Sequence, residues 1–471
     1  MPRAAPTLIF VILALLLSTG ALAAEEVKHD FPPGLVIPPG AQWGPNFDVT
    51  AATEAYMNLL SPQQRARSDA YFDGGYWLQL WSFLYSLGVA WLLLARRRSA
   101  RLRDGCERVT RRRWLQSFLY AAAYIVVVFM LTLPLTIYAD FFREHAYGLA
   151  NQTFVPWFGE QLTGLGVTVV VGSVFLVAAY AFVARFINTW WIWLSGLTVV
   201  FLMLLMLVAP IWVMPLFNDY KVLADGPVKS AVLSMARGDG VPADNVYWFD
   251  QSKQTDRVSA NVSGFLGTTR VSLNDNLLNK TSLPEIKAVM GHELGHYVLN
   301  HALRGAIYYS LIFAGGYAFI QWSAGALIMR WRGRFGLRDL GDPAALPLVV
   351  ALFGAYLFLA TPLLNSITRG AEHEADIFGL NTAREPYGFA YAAMRLSSYR
   401  KMQPGPIEEI VFFDHPSGYR RVYDSMRWLK ENAAVVEHPG GATPVSPVPP
   451  MPPVQPVQPV QPGPPAAPTA H

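Results

Sequence analysis

The chain has 471 residues, 14 of them tryptophan, with 52% apolar and only 15% charged side chains and a positive mean hydropathy. This balance excludes an ordinary soluble enzyme. The single cysteine, Cys106, excludes both an intramolecular disulfide framework and a cysteine-ligated zinc site. The net charge of +4 does not point to nucleic acid: nine arginines lie between Arg96 and Arg113, directly after an apolar run, where they read as a positive-inside anchor.

In chain order, residues 1–23 carry Arg3, an apolar run from Leu8 to Leu17 and Ala21-Leu22-Ala23, and are expected to be a secretory signal peptide. Residues 24–74 are mixed, Pro-rich at the start, and read as extramembrane. Six apolar stretches of spanning length follow, approximately Tyr76–Leu94, Trp114–Ile137, Leu165–Ala184, Trp190–Met214, Ala302–Met329 and Leu346–Leu364. Residues 75–214 thus predict a four-helix transmembrane region and 304–366 a transmembrane hairpin. Arginine falls in alternate connections: Arg96–Arg113, Arg185, and Arg330 to Arg338. All three connections can therefore face the cytoplasm together, which turns the others outward.

Between the fourth and fifth spans the chain turns polar. Strands are expected at Val246–Phe249, Arg257–Ser263 and Thr269–Leu273. Ser282-Leu283-Pro284-Glu285 is a capping box with Pro in the first turn, so a helix starts there. Residues 215–303 and 367–432 are expected to form the two parts of one domain. From Pro439 onward, 13 prolines in 33 residues predict a polyproline-rich tail within 433–471 that builds no core.

The chemistry is concentrated at Gly291-His292-Glu293-Leu294-Gly295-His296. Two histidines four residues apart on a helix lie about 40° apart, so both imidazoles can meet one cation. Glu293 sits beside that face, where it can act as a base without ligating. Gly291 and Gly295 would thin the helix and let neighbouring backbone approach. A catalytic zinc needs a third protein ligand and an open position. His301, nine residues from His292, is half a turn out of phase and reads as an interfacial histidine. The cluster Arg369-Gly370-Ala371-Glu372-His373-Glu374-Ala375-Asp376 is the better source. Glu372 and Asp376 share a face, so one can ligate while the other orients an imidazole.

Gly291–His296, Arg369-x-x-Glu372-x-x-Ala375-Asp376 and His415-Pro416 with Arg421 resemble the CAAX prenyl endopeptidase family of integral-membrane zinc proteases, which includes HtpX-like bacterial relatives. Tyr147–Thr153, Pro215–Asn218 and Ala260–Gly264 leading to Arg270–Asp275 also match, and the likeness runs over roughly residues 75–430 in the family's order. The resemblance implies one zinc ion per chain, with His292, His296 and Glu372 as ligands, Glu293 as general base and Asp376 behind a ligand. It places His415 and Arg421 near the reacting carbonyl, with His415 stabilising the oxyanion. It also implies a helix-walled chamber within the bilayer, and a strand Arg257–Ser263 along which an extended substrate pairs. Ser259, Ala260 and Asn261 stand there in place of the family's usual Asn-Ala-Tyr.

The expected architecture is therefore mainly α: about six membrane helices plus a signal peptide, carrying a zincin-type metalloprotease domain with a small β-sheet. The expected function is a membrane zinc metalloendopeptidase whose partners are the lipid bilayer and a peptide or membrane-protein substrate, with no nucleic acid. The basic connections put its site on the extracytoplasmic side, the outer face of the inner membrane in a bacterium. Two other classes were weighed. A metal transporter would need charged residues in mid-span, and the six spans are nearly free of them. An inactive scaffold recruiting partners through its Pro-rich tail would not need the full set of ligands and base.

Overall fold

The structure, a computed structural model, describes residues 31–32, 34–264 and 269–436. The expected signal peptide and nearly all of the Pro-rich tail lie outside these residues. Helix α1 (Val49–Met57) is followed by α2 (Pro62–Leu94), α3 (Arg98–Val109), α4 (Arg113–Thr136), α5 (Phe154–Arg185) and α6 (Trp190–Val208). A short strand β1 (Tyr220–Val222), helix α7 (Pro227–Gly238) and strands β2 (Val246–Phe249), β3 (Ala260–Ser263) and β4 (Arg270–Asn274) come next. Helices α8 (Leu283–Val298), α9 (His301–Phe335), α10 (Leu346–Ala383), α11 (Pro386–Arg395), α12 (Pro406–Phe412) and α13 (Gly418–Asn432) complete the chain.

Among the described residues, six helical segments are long and apolar enough to cross a membrane: Pro62–Val109, Arg113–Ala146, Phe154–Arg185, Trp190–Leu216, His301–Phe335 and Pro343–Ala383. Each contains one of the expected spans. The first begins earlier than the sequence suggested. Ser61 and Gln64 form a capping box with Pro62 in the first turn, so α2 starts at Pro62 and its polar first turns belong to the helix. Nor are residues 31–60 a detached segment. Tyr56, Met57 and Leu60 are buried against Tyr391, Met394 and Met426 of α11 and α13, and the Trp43 N–H donates to the Tyr387 hydroxyl at 2.9 Å.

On the arginine-rich side, Arg103 is paired with Asp342, both buried, and Arg338 makes a two-pronged pair with Glu107 at 2.5 and 2.9 Å. These bonds tie α3 to the loop between the fifth and sixth candidate spans.

The sheet runs β1-β2-β4-β3, with β2 parallel to β4 and the outer pairs antiparallel. One face packs Val246, Val271 and Leu273 against Ile286, Met290 and Leu294 of α8. Strand β3 is an edge. The expected strand from Arg257 is shorter, because Arg257 and Val258 precede the ladder. The α8 start is as the capping box predicts: the Glu285 carboxylate accepts from the Ser282 N–H at 2.8 Å.

Candidate active site

Helix α8 carries the His-Glu-x-x-His segment across α10 at very short range. A Cβ on Gly291 would stand 2.9 Å from the Gly379 carbonyl oxygen, and one on Gly379 would stand 2.7 Å from the His292 nitrogen. Gly295 meets Phe378 and Ala375 in the same way. This close approach is what the paired glycines predicted, and it brings Glu372 of α10 opposite the two histidines.

The ligand-type atoms converge. His292 Nε2 and His296 Nε2 are 3.0 Å apart, and each stands 3.4 Å from a Glu372 carboxylate oxygen. Ligand atoms at zinc–nitrogen and zinc–oxygen bond lengths around a tetrahedral ion are separated by about 3.3 Å. The three side chains therefore fit a zinc-sized cation, with one corner left for another ligand.

The surrounding contacts fix which nitrogen faces that point. Asp376 accepts from His292 Nδ1 at 2.8 Å, leaving the Nε2 lone pair free for a cation. On the other side, Glu374 can only accept, so His301 Nε2, 3.2 Å away, carries a proton. His301 Nδ1 is then an acceptor for His296 Nδ1–H at 2.9 Å, and His296 Nε2 is left unprotonated. Arg304 anchors Glu374 at 2.6 Å. His301 is thus buried behind His296 rather than interfacial. The helix breaks before it, with Asn300 in the left-handed conformation (φ 55°), and this break removes the phase argument. It holds a ligand-type histidine without itself joining the converging atoms.

Arg421 of α13 pairs with Glu372 at 3.0 Å and with Asp376 at 3.0 Å. His415 stands with Nε2 3.3 Å from Glu372, while its Nδ1 donates to Asp414 at 2.7 Å. Burial works against a charged His292, but its hydrogen bonds to Asp376 and Glu372 outweigh it and lift the imidazole pKa to about 9. Burial pushes the Glu293 carboxyl above its ordinary value, partly offset by the two histidines.

A cavity of about 310 Å³ opens on this cluster. His292, Glu293, His296, Glu372, His415 and Arg421 all line it, as do Ser259 and Ala260 of the β3 region. Asn261 is not among the residues that line it. Among the described residues, Glu372 is its only lining residue from a candidate span. Arg395, Tyr399 and Arg400 also line it; no motif spacing singled them out.

Residues 49–219 match the family model described as CAAX prenyl protease N-terminal, five membrane helices, and residues 223–428 match Peptidase family M48. The chain belongs to the CAAX prenyl protease family of membrane metallopeptidases. An uncharacterized metalloprotease, YhfN, of Bacillus subtilis is 28% identical over 384 residues, 80% of this chain and 88% of its own. CAAX prenyl protease 1 of Saccharomyces cerevisiae is 26% identical over 308 residues, 61% of this chain and 67% of that protein. The crystal structure of S. mikatae Ste24p superposes with a TM-score of 0.65 at 19% identity, covering 88% of this chain and 98% of that one, so the fold is shared. Membership of this family makes the chain a multi-pass, metal-dependent membrane peptidase.

Proposed function

We propose that this CAAX-protease relative is a zinc metalloendopeptidase that hydrolyses peptide bonds in peptides or membrane-associated proteins, with its site on the extracytoplasmic side. The observation that carries the reading is the convergence of His292, His296 and Glu372, whose ligand atoms all lie within 4.8 Å of one another, beside Glu293 in a cavity. His292, His296 and Glu372 would hold the zinc, which would supply Lewis-acid chemistry and ease deprotonation of the attacking water near neutral pH.

The protein's own groups do the rest. Glu293 accepts the proton of the attacking water and returns it to the leaving amine nitrogen. When protonated on both ring nitrogens, His415 donates from Nε2 to the oxyanion that develops on the scissile carbonyl, its Nδ1–H held by Asp414. Asp376 holds the His292 ring, and Arg421 fixes both carboxylates of α10.

The substrate lies extended along the free edge of β3. The Ser259 carbonyl accepts from Asn274 of β4, so the N–H and C=O of Ala260, next along the strand, face the open side. Relatives named as prenyl proteases suggest a substrate delivered from a membrane. The arginine-rich connections, read as cytoplasmic, favour a site on the opposite face, where peptides and outer-leaflet proteins are the available chains.

The test is Glu293→Gln in purified, zinc-loaded protein. It is expected to keep one zinc per chain by elemental analysis while hydrolysis falls roughly 10²- to 10⁴-fold. Hydrolysis near the wild-type rate would overturn the assignment. The same variant, used as a substrate trap, identifies natural substrates by proteomics.

A further inference from the structure

Three arginines line the cavity, and two of them are neutralised. Arg395 pairs with the buried Glu285 and also donates to the carbonyls of Phe31, Pro32 and Gly34. Arg421 pairs with Glu372 and Asp376. Arg400 has no ion pair among the described residues, and its Nη1 is buried without a hydrogen-bond partner. A guanidinium N–H out of water without an acceptor is costly, and arginine does not escape the cost by losing its proton at neutral pH.

Its position is not accidental slack. The Arg400 carbonyl is held by the Ser68 hydroxyl of α2 at 2.9 Å. Next to it, Lys401 is pinned by Asp73 and Glu408 at 3.1 and 2.8 Å. On the other side the Tyr399 ring lies under the Arg257 guanidinium, 4.9 Å from its centroid. The loop is clamped on both flanks and presents a fixed cation beside the metal-binding residues.

The nearest acids are otherwise engaged. Asp414 holds His415, and Glu372 holds Arg421 and both histidines. Burial, with the neighbouring Arg421, draws the Arg400 pKa down from its ordinary value and outweighs the nearby Asp414 and Glu372. A divalent cation at the site would add further positive charge, so the cavity favours an anionic visitor. A planar, five-donor guanidinium matches a carboxylate best.

We propose that Arg400 is a specificity-determining residue that binds a carboxylate of the substrate, either an acidic side chain at one fixed subsite or the chain's C-terminal carboxylate. The proposal rests on the peptidase reading above and adds the chemical class of group the cavity selects. The carboxylate replaces the missing counter-ion, and a substrate without one leaves the guanidinium unpaired.

The test uses zinc-loaded full-length protein in detergent and a peptide library made by tryptic digestion of a whole proteome. The library is offered untreated and with every carboxyl converted to a methylamide, and cleavage is read by mass spectrometry. Wild type is expected to cut the untreated library roughly tenfold or more faster than the blocked one. Cuts at a constant distance from Asp or Glu identify the side chain as the source; cuts at a constant distance from the C-terminus identify the terminal carboxylate.

Arg400→Gln should erase the difference between the two libraries, and Arg400→Lys should retain part of it. Equal cutting of both libraries by wild type, or a preference that survives Arg400→Gln, overturns the proposal. If wild type cuts neither library, the peptidase reading fails separately, and capture on the Glu293→Gln protein then decides. Enrichment of untreated over blocked peptides that disappears in the Glu293→Gln, Arg400→Gln double variant supports the carboxylate site. Equal capture overturns it. Should Arg400→Gln fail to fold, the wild-type and Arg400→Lys arms still decide the outcome.

Discussion

His296 presents Nε2 to the convergence point because His301 takes up its other ring nitrogen, with Glu374 and Arg304 stacked behind. Partners of this kind tune metal affinity by about 10- to 100-fold. His301→Ala is accordingly expected to weaken zinc binding by roughly that factor, measured by chelator competition, with the overall fold intact by circular dichroism. Unchanged affinity would mean the relay is ornamental. His292 gives a second prediction. Without metal its pKa is about 9 in the folded chain against an ordinary 6.5, so near neutral pH the empty site holds a proton that zinc must displace. Zinc affinity should rise about tenfold per pH unit toward pH 9 and then level off, as titration calorimetry at several pH values would read. The sign for the metal-free fold is opposite: a raised pKa contributes stability in full below about 6.5, and that contribution is lost as the pH rises through about 9. Affinity that stays flat between pH 7 and 9 would sink this account. At this scale the sequence disclosed His292, Glu293 and His296 through spacing alone, and left Glu372 or Asp376 open. It misplaced His301, because phase along a helix says nothing once Asn300 breaks the helix. Arg400 had no legible signal, since whether a guanidinium is paired depends on contacts hundreds of residues apart in the chain.

Among the elements, the α8–α10 crossing and the β3 edge do most to make a site. The crossing was legible, because glycines at 291 and 295 on one face of a helix have few uses other than close approach. Its partner Gly379 was not, since a single glycine in a long helix carries no period. The capping box marked the start of α8 because its hydrogen bonds are local. The same device at Ser61 went unread, because the polar turns after it hid the membrane helix they begin. Strand β3 yields a prediction of its own. The Ala260 N–H faces the open edge rather than β4, so Ala260→Pro removes a donor to the substrate without removing a ladder bond. Peptidase activity should drop roughly tenfold, chiefly through KM, while zinc content and melting temperature hold. A variant with normal KM would argue that substrate does not use this edge.

For the whole molecule, the alternation of apolar runs and arginine-rich connections set the number of spans, and all six correspond to helices. What the sequence could not convey is that residues 31–60 strap the far end of the chain, since Tyr56 and Tyr391 meet only after folding. Orientation is open to a direct check. Cys106 is buried, so a thiol placed at the exposed Asp244 should be the one labelled. Asp244→Cys is expected to react with a membrane-impermeant maleimide added to intact spheroplasts. Labelling only after lysis would reverse the topology. The geometry of α10 has one more consequence, a mechanical one. This helix runs from Leu346 to Ala383 with one proline, Pro362, inside it, and is pinned against α8 at Gly379. With a rise of 1.5 Å per residue, Glu372 lies about 10 Å from that pivot and Leu346 about 50 Å from it. A tilt of about 3° swings the far end by roughly 2.6 Å but Glu372 by only about 0.5 Å, near the tolerance of a working site. The fulcrum sits beside Glu372, so the membrane end of the lever can follow changes in bilayer thickness while the end that carries Glu372 stays nearly still.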